Sequence, residues 1–349
     1  MKSHYSKEVN GLAMHPRGDE FATVGRDNLL CIWSSKQRRQ LKFSRLESAA
    51  DSIAYSEDGK LLAIGLRSGY LLVVDQEFKP VAKVQCNKSG HGITVVQFFK
   101  DMCAVGDSEG IIRVYNSMPI THGDKVKKPF KNCEVIKHRQ SAIIHIDFSE
   151  SGEFLMVNNV DEEVFFVRTK GVKEEKPEGR INQRYIGAGL SKSSYHESDF
   201  KQFSDTVWHT TTCTYGWATQ GIFSANTSGH DVNAVTRSKN HDVIATGDDF
   251  GRINLFQYPC YLKDALFSTS LGHSSHVSNV QFCNEVQGSD VATLISTGSS
   301  DLCVFQWRFQ FDPENDGDDG EVQQSSMKKE DNEGVSKQMN KVEQHLSSW

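Results

Sequence analysis

The stretch that decides the fold is His4-Tyr-Ser-Lys-Glu-Val-Asn-Gly-Leu-Ala-Met-His-Pro-Arg-Gly-Asp-Glu-Phe-Ala-Thr-Val-Gly-Arg-Asp-Asn-Leu-Leu-Cys-Ile-Trp33. It holds three short apolar-rich runs, residues 9–14, 20–24 and 29–33, separated by the turns 15–19 and 25–28. Short runs of this kind, bounded by Pro, Gly, Asn and Asp, read as antiparallel strands joined by tight turns. The phrase then returns along the chain, at 52–74, 95–115 and 143–167. Third runs end near Trp33, Val74, Tyr115, Arg168, Phe256 and Trp307, with gaps of 41, 41, 53, 88 and 51.

A period of about 40–45 with strands between polar turns is the signature of propeller blades. Each blade is a small sheet with two apolar faces, stable only when stacked on neighbours. The gap of 88 counts as two periods and implies one hidden, irregular blade between Arg168 and Phe256. The expected fold is therefore an all-β, WD-repeat-type propeller of about seven four-stranded blades over residues 1–312. A mobile insertion is expected at about 170–204, rich in Lys, Glu, Gly and Ser, and a disordered acidic tail at 313–349, with at most a short partner-bound helix at 338–346.

Two blades carry polar residues suited to fastening a sheet. In the first, His4, Thr23, Asp27 and Trp33 stand in order; in the last, His273, Thr297, Asp301 and Trp307 repeat the hydroxyl and carboxylate spacings from the tryptophan. An imidazole, a hydroxyl, a carboxylate and an indole N–H can form one chain of hydrogen bonds across neighbouring strands. A catalytic Ser/His/Asp set is the competing reading. The structural one is preferred, because the group recurs by blade and ends on an indole that only donates.

Composition narrows the function classes. The chain has 349 residues, 37% hydrophobic and 24% charged, and no run approaches the roughly 18 apolar residues of a membrane span. Residues 1–8 lack the apolar core of a signal peptide. The tail 313–349 carries nine Asp/Glu against four Lys, so −5 of the chain's −6 lies there. The remainder is close to neutral, which argues against nucleic acid as a partner, and without an apolar span no membrane partner is expected. Eight cysteines are scattered singly with no Cys-x-x-Cys, so no zinc knuckle or dithiol site is implied; they read as buried thiols in a reducing cytoplasm. Arg17-Gly18-Asp19 and Asp249-Phe250-Gly251 read as turns. No P-loop, His-Glu-x-x-His or Gly-x-Ser-x-Gly occurs, and the expectation is no enzyme, cofactor or metal.

Propellers bind through their loops. Two segments are basic: Lys125, Lys127, Lys128, Lys131, Lys137 and Arg139, placed between blades three and four, and Lys36, Arg38, Arg39, Lys42 and Arg45, placed after blade one. Such segments suit an acidic partner protein through long-range attraction.

Residues 4–33 resemble the opening of the second propeller in the echinoderm microtubule-associated protein-like family. Val207-Trp208, Thr212-Cys213-Thr214, Gly216 and Gly221-Ile222 look like that family's irregular stretch. Asp231-Val-Asn-Ala-Val235, Ala245-Thr-Gly-Asp-Asp-Phe-Gly251, Tyr258-Pro-Cys260 and Gly272-His-Ser-Ser-His-Val277 then follow in the family's order. The resemblance covers about residues 4–309. It implies a tandem pair of propellers that binds tubulin, and a cytoplasmic, cytoskeletal location, the cilium or flagellum included. The competing expectation is a WD-repeat scaffold or adaptor in a ciliary or ubiquitin-ligase complex. The family's hydrophobic motif, first propeller and trimerising coiled coil are not in this sequence. That leaves a fragment, a divergent short form, or a ring with an unclosed blade that a partner chain or missing propeller completes.

Overall fold

The computed structural model describes residues 4, 6–87, 89–122, 125–131, 133–137, 141–169, 185–190, 203–223, 231–263, 265–283 and 289–311. The acidic tail and most of 170–204 lie outside them.

Among the described residues, six blades follow one another around a central channel. Blade one is β1 (Val9–Met14), β2 (Glu20–Gly25), β3 (Leu29–Ser34) and β4 (Arg39–Arg45). Blade two is β5 (Ala50–Tyr55), β6 (Leu61–Leu66), β7 (Tyr70–Asp75) and β8 (Pro80–Gln85). Blade three has β9 (Ile93–Phe99), β10 (Met102–Asp107) and β11 (Ile111–Asn116); a hairpin of β12 (Ile120–His122) and β13 (Lys125–Lys127) intervenes before its outer strand, β14 (Cys133–Lys137). Blade four is β15 (Ile143–Phe148), β16 (Phe154–Asn159), β17 (Val164–Arg168) and β18 (Tyr185–Leu190). Blade five is β19 (Val232–Arg237), β20 (Val243–Asp248), β21 (Arg252–Gln257) and β22 (Phe267–Leu271). Blade six has three strands among the described residues: β23 (Val277–Phe282), β24 (Val291–Gly298) and β25 (Val304–Gln310).

The middle strands explain their sequences. Buried on both faces, β3 reads Leu-Leu-Cys-Ile-Trp-Ser without polar alternation. Its odd residues Leu29, Cys31 and Trp33 pack against Cys283, Ile295 and Val304 of blade six, while Leu30 and Ile32 pack against Leu62, Ile64 and Val74 of blade two. The tight turns rest on left-handed residues: Gly59 has φ +70°, and a Cβ there would strike the His15 ring of the neighbouring blade. Blade one also closes onto blade six. The Val9 amide donates to the Ser299 carbonyl at 3.2 Å, and the Met14 amide to Gln281 Oε1 at 2.7 Å.

Each innermost strand carries a register shift near its start, at Val9/Gly11, Ala50/Ser52, Ile143/His145, Val232/Ala234 and Val277/Asn279, and opposite Gly106/Asp107 for β9. The extra residues reach sideways. Asn10 Nδ2 donates to Asp51 Oδ1 (2.7 Å), Thr94 Oγ1 to the Ile143 carbonyl (2.5 Å) and Ser278 Oγ to the Val9 carbonyl (2.6 Å). A bulge frees one residue from its ladder and re-aims it, and here it ties blade to blade around the channel.

Three expectations need correction. The described residues contain six blade sheets where about seven were expected, and blade six is three-stranded. The segment 203–223 that was counted as a blade forms no sheet; apart from an isolated bridge between Trp208 and Ser149, its regular structure is the 3-10 helix Trp217–Ile222. It fills a wedge, with Phe203, Trp208, Cys213 and Tyr215 against Met156, Val164 and Phe166 of blade four, and Ile222 against Val232, Ile244 and Phe256 of blade five. Aromatic bulk, not a hydrogen-bonded ladder, thus spans the extra period. Lastly, within the segment expected to be a mobile insertion, Tyr185–Leu190 is the outer strand of blade four.

Candidate functional site

In blade one, His4 Nδ1 meets Asp27 Oδ1 at 2.8 Å, His4 Nε2 meets Thr23 Oγ1 at 3.1 Å, and the Trp33 indole donates to Thr23 Oγ1 at 2.9 Å. In blade six, His273 Nδ1 meets Asp301 Oδ2 at 2.8 Å, but the hydroxyl between imidazole and indole is Ser296, with His273 Nε2 and Trp307 Nε1 both 2.7 Å away. Thr297, expected in that place, contacts Ser278 Oγ instead (3.0 Å). Ladder register explains the shift: Trp33 pairs with Phe21 and Trp307 with Leu294, so the bonded hydroxyl is two residues past the tryptophan's partner in both blades. The blade-six turn has one extra residue before its carboxylate.

These groups are closed to chemistry. Thr23 and Ser296 are fully buried and already accept from an indole, so no substrate reaches either hydroxyl. Burial works to raise the Asp301 pKa, but the bonds from His273, Cys303 N–H and Ser274 N–H outweigh it and hold the carboxyl below its usual range. The thiols are quiet as well: burial pushes Cys31 up to about 12 and Cys260 up to about 11. His273 is thereby committed, and among the described residues no cluster of three or more His, Cys, Asp or Glu has the arrangement to hold a metal.

The wedge is anchored on Asp147 of β15, which sequence reasoning missed. Its buried carboxylate accepts from Thr210 Oγ1 (2.5 Å), the Thr212 amide (2.8 Å), Thr212 Oγ1 (2.9 Å) and the Cys213 amide (2.8 Å). Burial raises the Asp147 pKa against these four donors. One signal was legible, the Thr210-Thr-Thr-Cys213 run rich in hydroxyls.

The central channel, of about 1200 Å³, is walled by β1, β5, β9, β19 and β23, by Ile144 and His145 of β15, and by wedge residues from Val207 to Tyr215. His145 Nε2 lies 3.2 Å from the Asn233 carbonyl, while burial lowers its pKa to about 4 and its Nδ1 has no partner among the described residues. On the rim, His209 stands between Glu57 (3.4 Å) and Glu150 (3.3 Å), edge-on to Phe99.

Both basic segments belong inside blades, not between them. Arg38 (φ 53°) ends the β3–β4 turn and Arg39 opens β4, its Nε donating to Gln37 Oε1 at 2.7 Å. Lys128 and Lys131 are exposed on the connection between β11 and β14; Lys125 and Lys127 lie in β13, and Arg139 falls outside the described residues. Successive strands in a blade run antiparallel, so every connection from third to fourth strand opens on one face of the disc. Lys36 and Arg38 in blade one, with Arg39 at the start of β4, and Lys128 and Lys131 in blade three sit on such connections and so share that face, whereas Arg45 and Lys137 end their outer strands on the opposite side.

Comparison with known proteins places this geometry. The sequence model of the echinoderm microtubule-associated protein second β-propeller matches residues 9–185 and 189–309. Echinoderm microtubule-associated protein-like 2 of Homo sapiens is 30% identical over 304 residues, covering 86% of this chain and 42% of that relative. Echinoderm microtubule-associated protein-like 4 of Xenopus tropicalis is 30% identical over 325 residues, 92% of this chain and 31% of the relative. For Echinoderm microtubule-associated protein-like 3 of Homo sapiens the figures are 28% over 306 residues, 87% and 30%. The chain therefore spans less than half the length of these relatives. The matched residues cover nearly all of the six-sheet ring, and the chain belongs to the echinoderm microtubule-associated protein family, in its second β-propeller.

Proposed function

We propose that this chain is a non-catalytic protein-binding platform that associates with microtubules through tubulin in the cytoplasm. The observation that carries the reading is the placement of two exposed basic segments, around Arg38 and Arg39 and around Lys128 and Lys131, on one face of the disc. A platform of fixed blades with basic loops on one side suits an acidic, repetitive surface, since long-range attraction raises encounter rates and orients docking. Family membership and the names of the relatives support the same partner. The near-neutral charge of the blades supports a protein partner over nucleic acid or membrane.

The test is co-sedimentation of the full chain with polymerised tubulin across a salt series. Pelleting that weakens with salt, and weakens further in the Arg38→Glu/Arg39→Glu/Lys128→Glu/Lys131→Glu variant, is the expected result. A full chain that stays in the supernatant at low salt sinks the tubulin reading and leaves a scaffold for other proteins.

A further inference from the structure

The innermost strands of the six blades can be aligned on their register shifts. The fourth residue past the shift is Met14, Tyr55, Phe98, Phe148 and Phe282 in blades one, two, three, four and six. All five are large and apolar, and each packs into an apolar cluster of its blade. In blade five the residue at this place is Arg237, paired with Ile244. A guanidinium thus stands where every other blade sets a hydrophobic side chain.

Arg237 is half-buried and lines the central channel. Its Cζ lies 3.9 Å from the ring centroid of Tyr258, which packs on the cluster of Ile222, Phe256 and Cys260. The stack holds the guanidinium plane, but it satisfies none of the N–H donors. Nε is buried without a hydrogen-bond partner, and the side chain meets no carboxylate. An unpaired buried donor costs the fold free energy, and such a breach of the blade pattern marks a functional position.

First and third strands of a blade run in the same direction, so β19 and β3 end on one face of the disc. Arg237 therefore stands at the channel mouth of the face whose periphery carries Arg38, Arg39, Lys128 and Lys131. The same mouth holds Glu57 and Glu150 beside His209, and these oppose a phosphate polyanion. One uncompensated guanidinium matches the charge and the planar, two-oxygen geometry of a single carboxylate.

We propose that Arg237 is a specificity-determining anchor: a partner protein places one glutamate or aspartate side chain in the channel mouth, where it accepts two hydrogen bonds from the stacked guanidinium. Exposed charges at the periphery steer a partner and contribute little affinity, whereas a partly desolvated arginine at the centre of a contact holds it. That the partner is tubulin rests on the reading above; the carboxylate site stands without it.

The site is tested first without tubulin. The Nε–H resonance of Arg237, assigned by its loss in Arg237→Lys, is followed while N-acetylglutamate α-amide is titrated into the full chain, into the tens of millimolar at constant ionic strength. A saturable shift is expected, absent with the glutamine counterpart and requiring several-fold more inorganic phosphate. No shift with the glutamate probe overturns the proposal, and tighter binding of phosphate overturns its choice of carboxylate. In co-sedimentation, Arg237→Met should weaken microtubule binding at least about tenfold. Unlike the loss in the peripheral variants, this loss should persist at high salt, and Arg237→Lys should restore only part of the binding. The denaturation midpoint of Arg237→Met should be unchanged or raised, since methionine already fills this place in blade one. A lowered midpoint would make Arg237 a structural residue, and undiminished pelleting of Arg237→Met would overturn the anchor. If the unaltered chain does not pellet at all, the tubulin reading falls alone and the resonance shift decides the site.

Discussion

Blades one and six carry the same chain of imidazole, carboxylate, hydroxyl and indole, yet among the described residues blade one has four strands and blade six three. The chain joins the turn before the third strand to the connection that precedes the first, so it fastens the inner three strands and leaves the outer one untouched. Ring closure likewise runs through inner strands, in the contacts of Val9 with Ser299 and Ser278. Completing a blade and closing the ring are thus separate matters in this molecule. The outer strand supplies surface; the inner strands supply the ring.

The largest effect that would break this comparison comes from the indoles. Trp307→Ala removes a buried ring packed with Leu255, Leu294 and Phe309, and should cost about 3–5 kcal/mol. Trp33→Ala should cost a similar amount, read from denaturant midpoints. If blade six tolerated its tryptophan loss while blade one did not, the two fastenings would differ in weight despite their shared geometry.

Next in size is Asp147→Ala, which leaves the donors of Thr210, Thr212 and Cys213 without their carboxylate and should cost about 3 kcal/mol. Its effect should be local: wedge amides from Thr210 to Tyr215 should exchange faster while β1 and β23 keep their protection. Loss of protection throughout the ring would show the wedge to be as structural as a sheet.

The sequence carried much of this and missed the rest for definable reasons. Blade period, strand order and the fastening of blade one were visible because antiparallel strands between tight turns leave local marks such as Pro16-Arg-Gly-Asp19 and Glu57-Asp-Gly59. The wedge was counted as a blade because spacing alone cannot tell a ladder from aromatic packing, and Phe203, Trp208 and Tyr215 look equally apolar either way. The hydroxyl of blade six was misplaced because counting back from Trp307 ignores turn length, whereas the ladder fixes Ser296. The bulges that tie blade to blade were not read because one extra residue in a six-residue strand barely disturbs its alternation.

That misplacement is itself testable. Ser296→Ala orphans the Trp307 indole N–H and His273 Nε2 and should lower stability by about 2 kcal/mol. Thr297→Val, which keeps the shape and loses a bond to Ser278, should cost about 1 kcal/mol or less. Equal costs would mean that the two hydroxyls share the fastening.

Acid should act on the two buried carboxylates in opposite directions. Asp301 has a folded pKa below its unfolded value, so the stability it contributes is present above the ordinary carboxylate range and is lost as pH falls through the folded pKa. Asp147, raised by burial, behaves inversely: its share is full below the unfolded pKa and is lost as pH rises through the folded one. In Asp301→Asn the acid limb of a stability–pH curve should flatten. An unchanged limb would place the acid sensitivity elsewhere.

The smallest expected effect separates surface from scaffold. Arg38→Glu/Arg39→Glu should shift stability by no more than about 0.5 kcal/mol, because both side chains are exposed. The same variant should reduce pelleting with microtubules at low salt and converge with the unaltered chain at high salt, where exposed charges are screened. A variant that is destabilised as well as unbound would mean that β4 is held by its arginines, and the outer strand would then belong to the scaffold after all. A variant that is stable and binds as before would move the tubulin contact off this face. The division between an inner ring that closes the fold and an outer layer that meets partners depends on these two readouts moving independently.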